Sequence, residues 1–322
     1  MRKKKKHPIK YLKFKGCFGS PLNWRKKRPE EIEFPEIFGV YNEVVFTKMT
    51  ESFDDALNNP DKTLDMRQVK RISIDGGLLL KAFYEEYYIK HQKNPHIRGP
   101  KEPKMRAVFN HLGIGHYQDV KKIHFADVEC WQILSWDHSD SNIHLGKFLS
   151  EEVFPKAWGG KHKLSEKSEV IATSVAEAFY NCAEHAYTGK KENSLFKRWY
   201  LGLGDYPNSN SFSFNIYDKG IGIKARLQAN PDGWLDKASD WLKSDSEMIK
   251  LATKGKRGAS EGRGEGLKFA VNEITKNSGE IAIYSEYGYF SSSDMHGVER
   301  TTRLEGTLVS FSFPIEYTEG NI

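Results

Sequence analysis

The stretch Ser168–Gly189, SEVIATSVAEAFYNCAEHAYTG, decides the architecture of this 322-residue chain. At about 100° per residue, Ile171, Val175, Ala178, Phe179, Cys182 and Ala186 share one helical face, which predicts a helix from about Glu169 to Tyr187 packed on a sheet. Glu177, Asn181, Glu184 and His185 sit at i, i+4, i+7 and i+8 and form a second, polar face. No Lys or Arg interrupts the segment between Glu169 and Tyr187. Carboxylate and amide oxygens stacked a turn apart suit a hard cation such as Mg²⁺, with a carboxylate left to orient or deprotonate a nucleophile. The competing reading of each residue alone is a solvated side chain.

Working outward, SFSFNIYDKGIGIKA at 211–225 alternates Phe212, Phe214 and Ile216 as a strand does and places Asp218 at its carboxyl end. Gly220 and Gly222 follow, so backbone can approach a flat ligand while Asp218 accepts hydrogen bonds from its donors. Alone, this is also an ordinary Asp-x-Gly turn. In TKGKRGASEGRGEGLKFAVNEI, Gly262, Gly264 and Gly266 alternate just before an apolar helix, Leu267–Ile274. Backbone N–H groups at such a helix start can face phosphate oxygens, and Lys254, Lys256 and Arg257 upstream can fold over them as a basic lid. The loop is neither a dinucleotide fingerprint nor a GxxxxGK[ST] loop. Finally LEGTLVSFSFPIE opens a strand at Gly306-Thr307, with Val309, Phe311 and Phe313 alternating to Pro314. With further strands near Trp199–Leu203 and Glu280–Glu286, the order predicts an α+β layer architecture, a mixed sheet with helices on one face.

The four pieces together, E-x3-N-x2-EHA at Glu177–Ala186, DxGxGI at Asp218–Ile223, GxGxGL at Gly262–Leu267 and the terminal GT-strand, resemble the GHKL superfamily of gyrase, Hsp90, histidine-kinase and MutL ATP-binding domains. The resemblance spans residues 165–315 and implies a two-layer α/β sandwich of the Bergerat type that binds ATP and Mg²⁺ beneath a mobile lid. It also implies roles. Asn181 holds Mg²⁺, Glu177 is the general base, and Asp218 bonds the adenine amino group. Gly220 and Gly222 shape the adenine pocket, Gly262, Gly264 and Gly266 cradle phosphates, and Thr307 assists at the adenine. VAEAFYNCAEHAY is most similar to the anti-sigma-factor serine kinases, in which the Glu prepares a protein hydroxyl. In gyrase-type members the same spacing activates water. Protein Ser/Thr phosphorylation and ATP hydrolysis thus both stay open. So does an ATP-gated switch that dimerises or docks a partner without being a kinase. A pure ATP-holding protein needs no base, so Glu177 beside Asn181 argues against it. A sensor histidine kinase is disfavoured, since no HE-x-R-x-P string is present.

The first half is less explicit. Strands are expected at Gly39–Thr47 and Thr63–Val69, and a helix at about Gly77–His91. LDMRQVKRISIDGGLLLKAFYEEY and MRAVFNHLGI resemble the STAS-type anti-sigma antagonists over residues 40–120, with Asp75 ending a strand. Gly76-Gly77 stands where a phosphorylatable member carries Ser or Thr, so this domain is expected to dock a protein partner or regulate and not to accept phosphate. The expected organisation is a basic arm at 1–35, an interaction domain at 36–150 and an ATPase-like domain at 160–318.

Composition bounds the rest. Hydrophobic residues make up 38% and charged residues 29%, and no 18-residue apolar run exists, so a globular chain with no membrane span is expected. The arm has the charge of a signal peptide without an apolar stretch behind it, which argues against secretion. Three cysteines without CxxC spacing argue against a disulfide framework or zinc and favour a reducing cytoplasm. Residues 1–28 carry twelve Lys/Arg and no Asp/Glu, so a net charge of +6 hides a body of −6. Such an arm suits nucleic acid or an anionic surface, yet one lysine run without a groove-reading motif reads first as a solvated tail.

Overall fold

The computed structural model describes residues 30–115, 124–125, 128–130, 134–137, 173–178, 180–181, 185–187, 196–206, 211–231, 234–235, 238–255 and 266–314. In the first half, β1 (Glu31–Glu33), β3 (Thr63–Asp65) and β5 (Ile97–Arg98) form a small parallel sheet. A second parallel pair joins β2 (Ile37–Phe38) to β4 (Arg71–Ile72). Three helices surround them: α1 (Glu43–Asn58), α2 (Ile74–His91) and α3 (Pro103–His111).

Helix α1 overturns the expected strand at 39–47. Val44, Val45 and Thr47 are β-branched and favour a strand locally. Against them, the Asn42 side chain accepts the Val45 N–H at 3.1 Å, and Phe46, Met49, Phe53 and Ala56 bury one helical face. Helix α2 likewise begins earlier than expected, because Ser73 caps it by accepting the Gly76 N–H. Asp75 is therefore not at a strand end but inside the first turn of α2. Its buried carboxylate accepts the Val40 N–H at 2.7 Å, and burial pushes that carboxyl above its usual range.

A seven-stranded sheet joins four strands of the second half to three short strands at 124–137, inside the stretch expected to form the interaction domain. Its order is β11 (Glu280–Ser291), β12 (His296–Pro314), β10 (Ser211–Asp218), β9 (Arg198–Tyr206), β7 (Val128–Cys130) and β6 (His124–Phe125), with β8 (Leu134–Asp137) also pairing to β9. Every pairing in this sheet is antiparallel, which corrects the expected mixed sheet. The fold is α+β.

Alternation sorts the strands onto two faces. Trp199, Leu201, Phe212, Phe214, Ile216, Ile281, Ile283, Val309 and Phe311 form a front core with Val175 and Ala178 of the 173–178 helical segment. Ile249 of α5 (Asp245–Thr253) and Ala270, Val271 and Ile274 of α6 (Gly266–Lys276) complete it. Between the strands and these helices comes a shorter one, α4 (Ile223–Ala229).

The rear face is apolar too, and helices were expected on one face only. Tyr200, Tyr217, Tyr284, Leu304 and Leu308 share one continuous core with Phe34, Phe53, Leu78, Phe83 and Tyr87 of the first half. Polar contacts fasten the same joint. The Glu85 carboxylate of α2, almost fully buried, accepts the Tyr200 hydroxyl at 2.8 Å and pairs with Lys81 at 3.1 Å and Arg198 at 3.6 Å. Glu43 at the start of α1 accepts both backbone and hydroxyl donors of Thr301 at 2.6 Å. Arg300 lies over the rings of Phe46 and Tyr284. Among the described residues, no helix is long and apolar enough to cross a membrane.

Phe53 and Phe83 stack at 4.4 Å between ring centres in this rear core. Phe83→Ala is expected to cost about 3–5 kcal/mol in denaturant unfolding. Because the core is shared, circular dichroism and tryptophan fluorescence should then shift together as one transition. A separate, unshifted transition for the sheet would contradict the shared core.

Candidate functional site

Four of the singled-out residues, Asp218, Gly220, Gly222 and Thr307, lie at the carboxyl end of β10. Asp218 is buried, and its Oδ1 accepts the Gly220 N–H at 2.8 Å, closing a tight turn. In register, Asp218 pairs with Thr307 on β12, and Thr307 pairs with Ser285 on β11. All three continue the front-face alternation, so one polar row crosses three neighbouring strands just where the apolar rows stop. Ser285 donates to the Gly306 carbonyl at 3.0 Å, accepts the Ile223 N–H at 2.9 Å and approaches the Thr307 hydroxyl at 3.3 Å. It thereby fixes the start of α4, whose cap is Gly222.

Two glycines are required by contact. A Cβ at Gly220 would fall 2.3 Å from the Ala186 carbonyl oxygen, and that carbonyl also accepts the Ile221 N–H at 2.8 Å. Gly306 has φ +91°, and a Cβ there would fall 1.9 Å from the Asp218 carbonyl oxygen. The end of the first motif is thus seated on the second, and the second is pressed against the fourth.

The third motif meets the first at Glu177. A Cβ at Gly266 would lie 2.3 Å from Glu177 Oε2, so this carboxylate rests against the first residue of α6. That helix has no acidic residue in its first turn, whereas Lys268 lies in it, and the exposed Lys254 adjoins Gly255 in sequence. Gly255 packs on the Lys268 stem. A helix amino terminus is electropositive, and lysines beside it increase its demand for an anion. Asn181 is one helical turn beyond Glu177, and its amide nitrogen donates to the Glu177 carbonyl at 2.9 Å. His185 Nδ1 faces the Arg226 guanidinium of α4 at 3.1 Å.

The structure therefore seats Gly220 on Ala186 and sets Asp218 level with Thr307, and separately rests Glu177, one turn from Asn181, on Gly266. Lys256, Arg257, Gly262, Gly264 and Glu184 lie outside the described residues. Three participants were missed from sequence. Ser285 is one; its signal is the Ile281, Ile283, Ser285 alternation, a hydroxyl in an apolar row. Glu286 is the second. It sits at a β-bulge with φ +55°, its side chain crosses Gly222, and it pairs with Arg303. The third is Tyr187, whose hydroxyl donates to the Arg198 carbonyl and accepts the backbone N–H groups of Arg198 at 3.0 Å and Lys219 at 3.2 Å. Neither of these last two has a sequence signal. Among the described residues, no group of three or more His, Cys, Asp or Glu side chains is placed to hold a metal.

Compared with known proteins, the chain matches no protein-family model, and no curated protein gives a significant match.

The contacts rank the glycines. Gly220→Ala meets a backbone carbonyl that cannot swing away and is expected to lose roughly 1–3 kcal/mol of unfolding free energy. Gly266→Ala meets the far end of a side chain and should lose clearly less. Equal losses in denaturant titrations would show that Gly220 is not packed as described.

Proposed function

We propose that this chain is an Mg²⁺-dependent ATP-binding protein of the GHKL type, with a Bergerat-like arrangement of front helices on the sheet. In this reading it transfers the γ-phosphoryl group to a protein Ser/Thr hydroxyl or to water. The observation that carries the reading is a chain of contacts linking four sequence-separated motifs: Ala186 on Gly220, Glu177 on Gly266, and Asp218 level with Thr307.

The roles follow from chemistry. Asp218, already holding the Gly220 amide, is a rigid acceptor for an exocyclic amino group, and Thr307 and Ser285 supply hydroxyls beside it. The start of α6 with Lys254 and Lys268 suits phosphate oxygens. Asn181 Oδ1 fits the cation, because Mg²⁺ carried on phosphates keeps most of its waters and takes only one or two protein oxygens. When bound, Mg²⁺ neutralises phosphate charge. Glu177 orients the attacking hydroxyl and takes its proton as the new P–O bond forms and the bond to ADP breaks.

An ATP-gated switch is the second reading, and one observation favours it. The amino-terminal half is packed into the rear of the same sheet, which gives a change at the site a physical route to it. In either case the first half serves as a docking or regulatory unit for a protein partner.

Asp218→Asn is expected to weaken ATP binding by about 1.5–3 kcal/mol in calorimetric titration, the scale of a charge-assisted hydrogen bond. Glu177→Ala should leave binding nearly intact and slow turnover roughly 10²–10⁴-fold. Label from γ-labelled ATP appearing on protein supports the kinase, and free phosphate supports the switch. Equal damage to binding by both substitutions would refute the division of roles, and no nucleotide affinity in the wild-type chain would refute the reading itself.

A further inference from the structure

We infer that Glu86, on α2 of the amino-terminal half, is a positioning residue for the loop that carries Asp218, acting through Lys219. The inference rests on the nucleotide reading for its functional meaning, but the geometry stands by itself. Lys219 follows Asp218 directly. Its buried ammonium pairs with Glu86 and, at 2.9 Å, with Glu305. Glu305 in turn precedes Gly306-Thr307, and its carbonyl accepts the Tyr217 hydroxyl at 3.0 Å. One cation therefore grips both strand ends that bear Asp218 and Thr307, and of its two carboxylates only Glu86 comes from the first half. Burial alone would lower the lysine's pKa, but the two carboxylates outweigh it and hold the ammonium charged above its ordinary range.

Two features separate this contact from general packing. The neighbouring Glu85 is committed to a different network, Lys81, Tyr200 and Arg198, which fixes α2 against β9. Glu86 instead borders a cavity of about 150 Å³, lined also by Phe53, Leu79, Phe83, Lys219 and Glu305. That cavity is the space into which the Glu86 side chain would move on leaving Lys219. Lys219 would then retain Glu305 as its ion-pair partner, with Asp54 of α1 as the first-half carboxylate still acting on its charge, and the loop between Asp218 and Gly222 would lose its direct ion pair to the first half. A displacement of α2, by whatever binds the amino-terminal unit, is thus passed to the nucleotide loop by an ion pair and not by repacking of the core.

The test uses the full chain and Glu86→Gln, an isosteric change at a partly exposed side chain, with Glu305→Gln as the second variant. Hydrogen exchange at the Gly220–Ile223 amides is expected to rise roughly tenfold while the Phe212–Ile216 amides keep wild-type rates. ATP affinity should fall roughly fivefold or more. Glu85→Gln is the control and should lower the melting temperature without selectively speeding loop exchange. Unchanged loop exchange in Glu86→Gln, or a uniform rise along β10 and the loop, overturns the inference. If the loop responds but the wild-type chain binds no nucleotide, the functional reading fails and the positioning role stands. If the wild type binds ATP and Glu86→Gln matches it in both measurements, the reverse holds.

Discussion

An antiparallel sheet with apolar side chains on both faces must be covered twice, and much of this structure follows from that constraint. Antiparallel sheets commonly leave one face wet. Here Trp199 and Tyr200, Ile216 and Tyr217, and Ile283 and Tyr284 are neighbours in sequence that point to opposite sides, and all six are buried. The front is closed by the helices that carry the candidate chemistry. The rear can be closed only by another part of the chain, and α1 and α2 do so. The joint also carries buried charge, which stays stable only with complete pairing. Glu85 meets that condition with a lysine, an arginine and a phenol, and burial together with the Glu85 charge keeps the Tyr200 phenol protonated as the donor.

The front half of this arrangement was legible in the sequence because its signals are local. Alternation in Phe212, Phe214 and Ile216, a carboxylate at the strand end and glycines after it each depend on near neighbours only. The rear face was not. Tyr217, Tyr284 and Leu308 occupy the alternate positions of strands already read as one-sided, and their burial depends on helices more than a hundred residues away. The strand expected at 39–47 failed for a related reason. The β-branched residues there are a weak local preference, and the cap at Asn42 together with a four-residue apolar stripe prevailed. Ser285 became meaningful only through its register with Thr307. Glu86 looks in sequence like half of an exposed acidic pair, and only the fold reveals that Glu85 and Glu86 serve different networks.

The candidate site shows how few degrees of freedom remain once the sheet is closed on both sides. Asp218 is held by its own turn, that turn by Ala186, and the start of α4 by Ser285. Preorganisation of this kind favours a ligand whose donors match a fixed acceptor, since little is left to order on binding. The start of α6 rests on Glu177, nine residues before the Ala186 that seats Gly220, so the two glycine contacts are made by different parts of one segment.

The bulge at Glu286 has a consequence for self-association. Strand β11 is the outermost strand of its sheet at that margin, and a free outer edge would invite a neighbouring molecule to add a strand, but near its start Ile281 is already bonded to Ser292 through both its N–H and its carbonyl. Beyond the bulge, the outward N–H of Tyr287 is taken by Asp245 at the start of α5, and Gly288 lies hard against the Asp245–Ser246 backbone. The ladder is thus interrupted in the middle and occupied in its distal part, which closes this margin to fibril-like growth for as long as α5 stays in place.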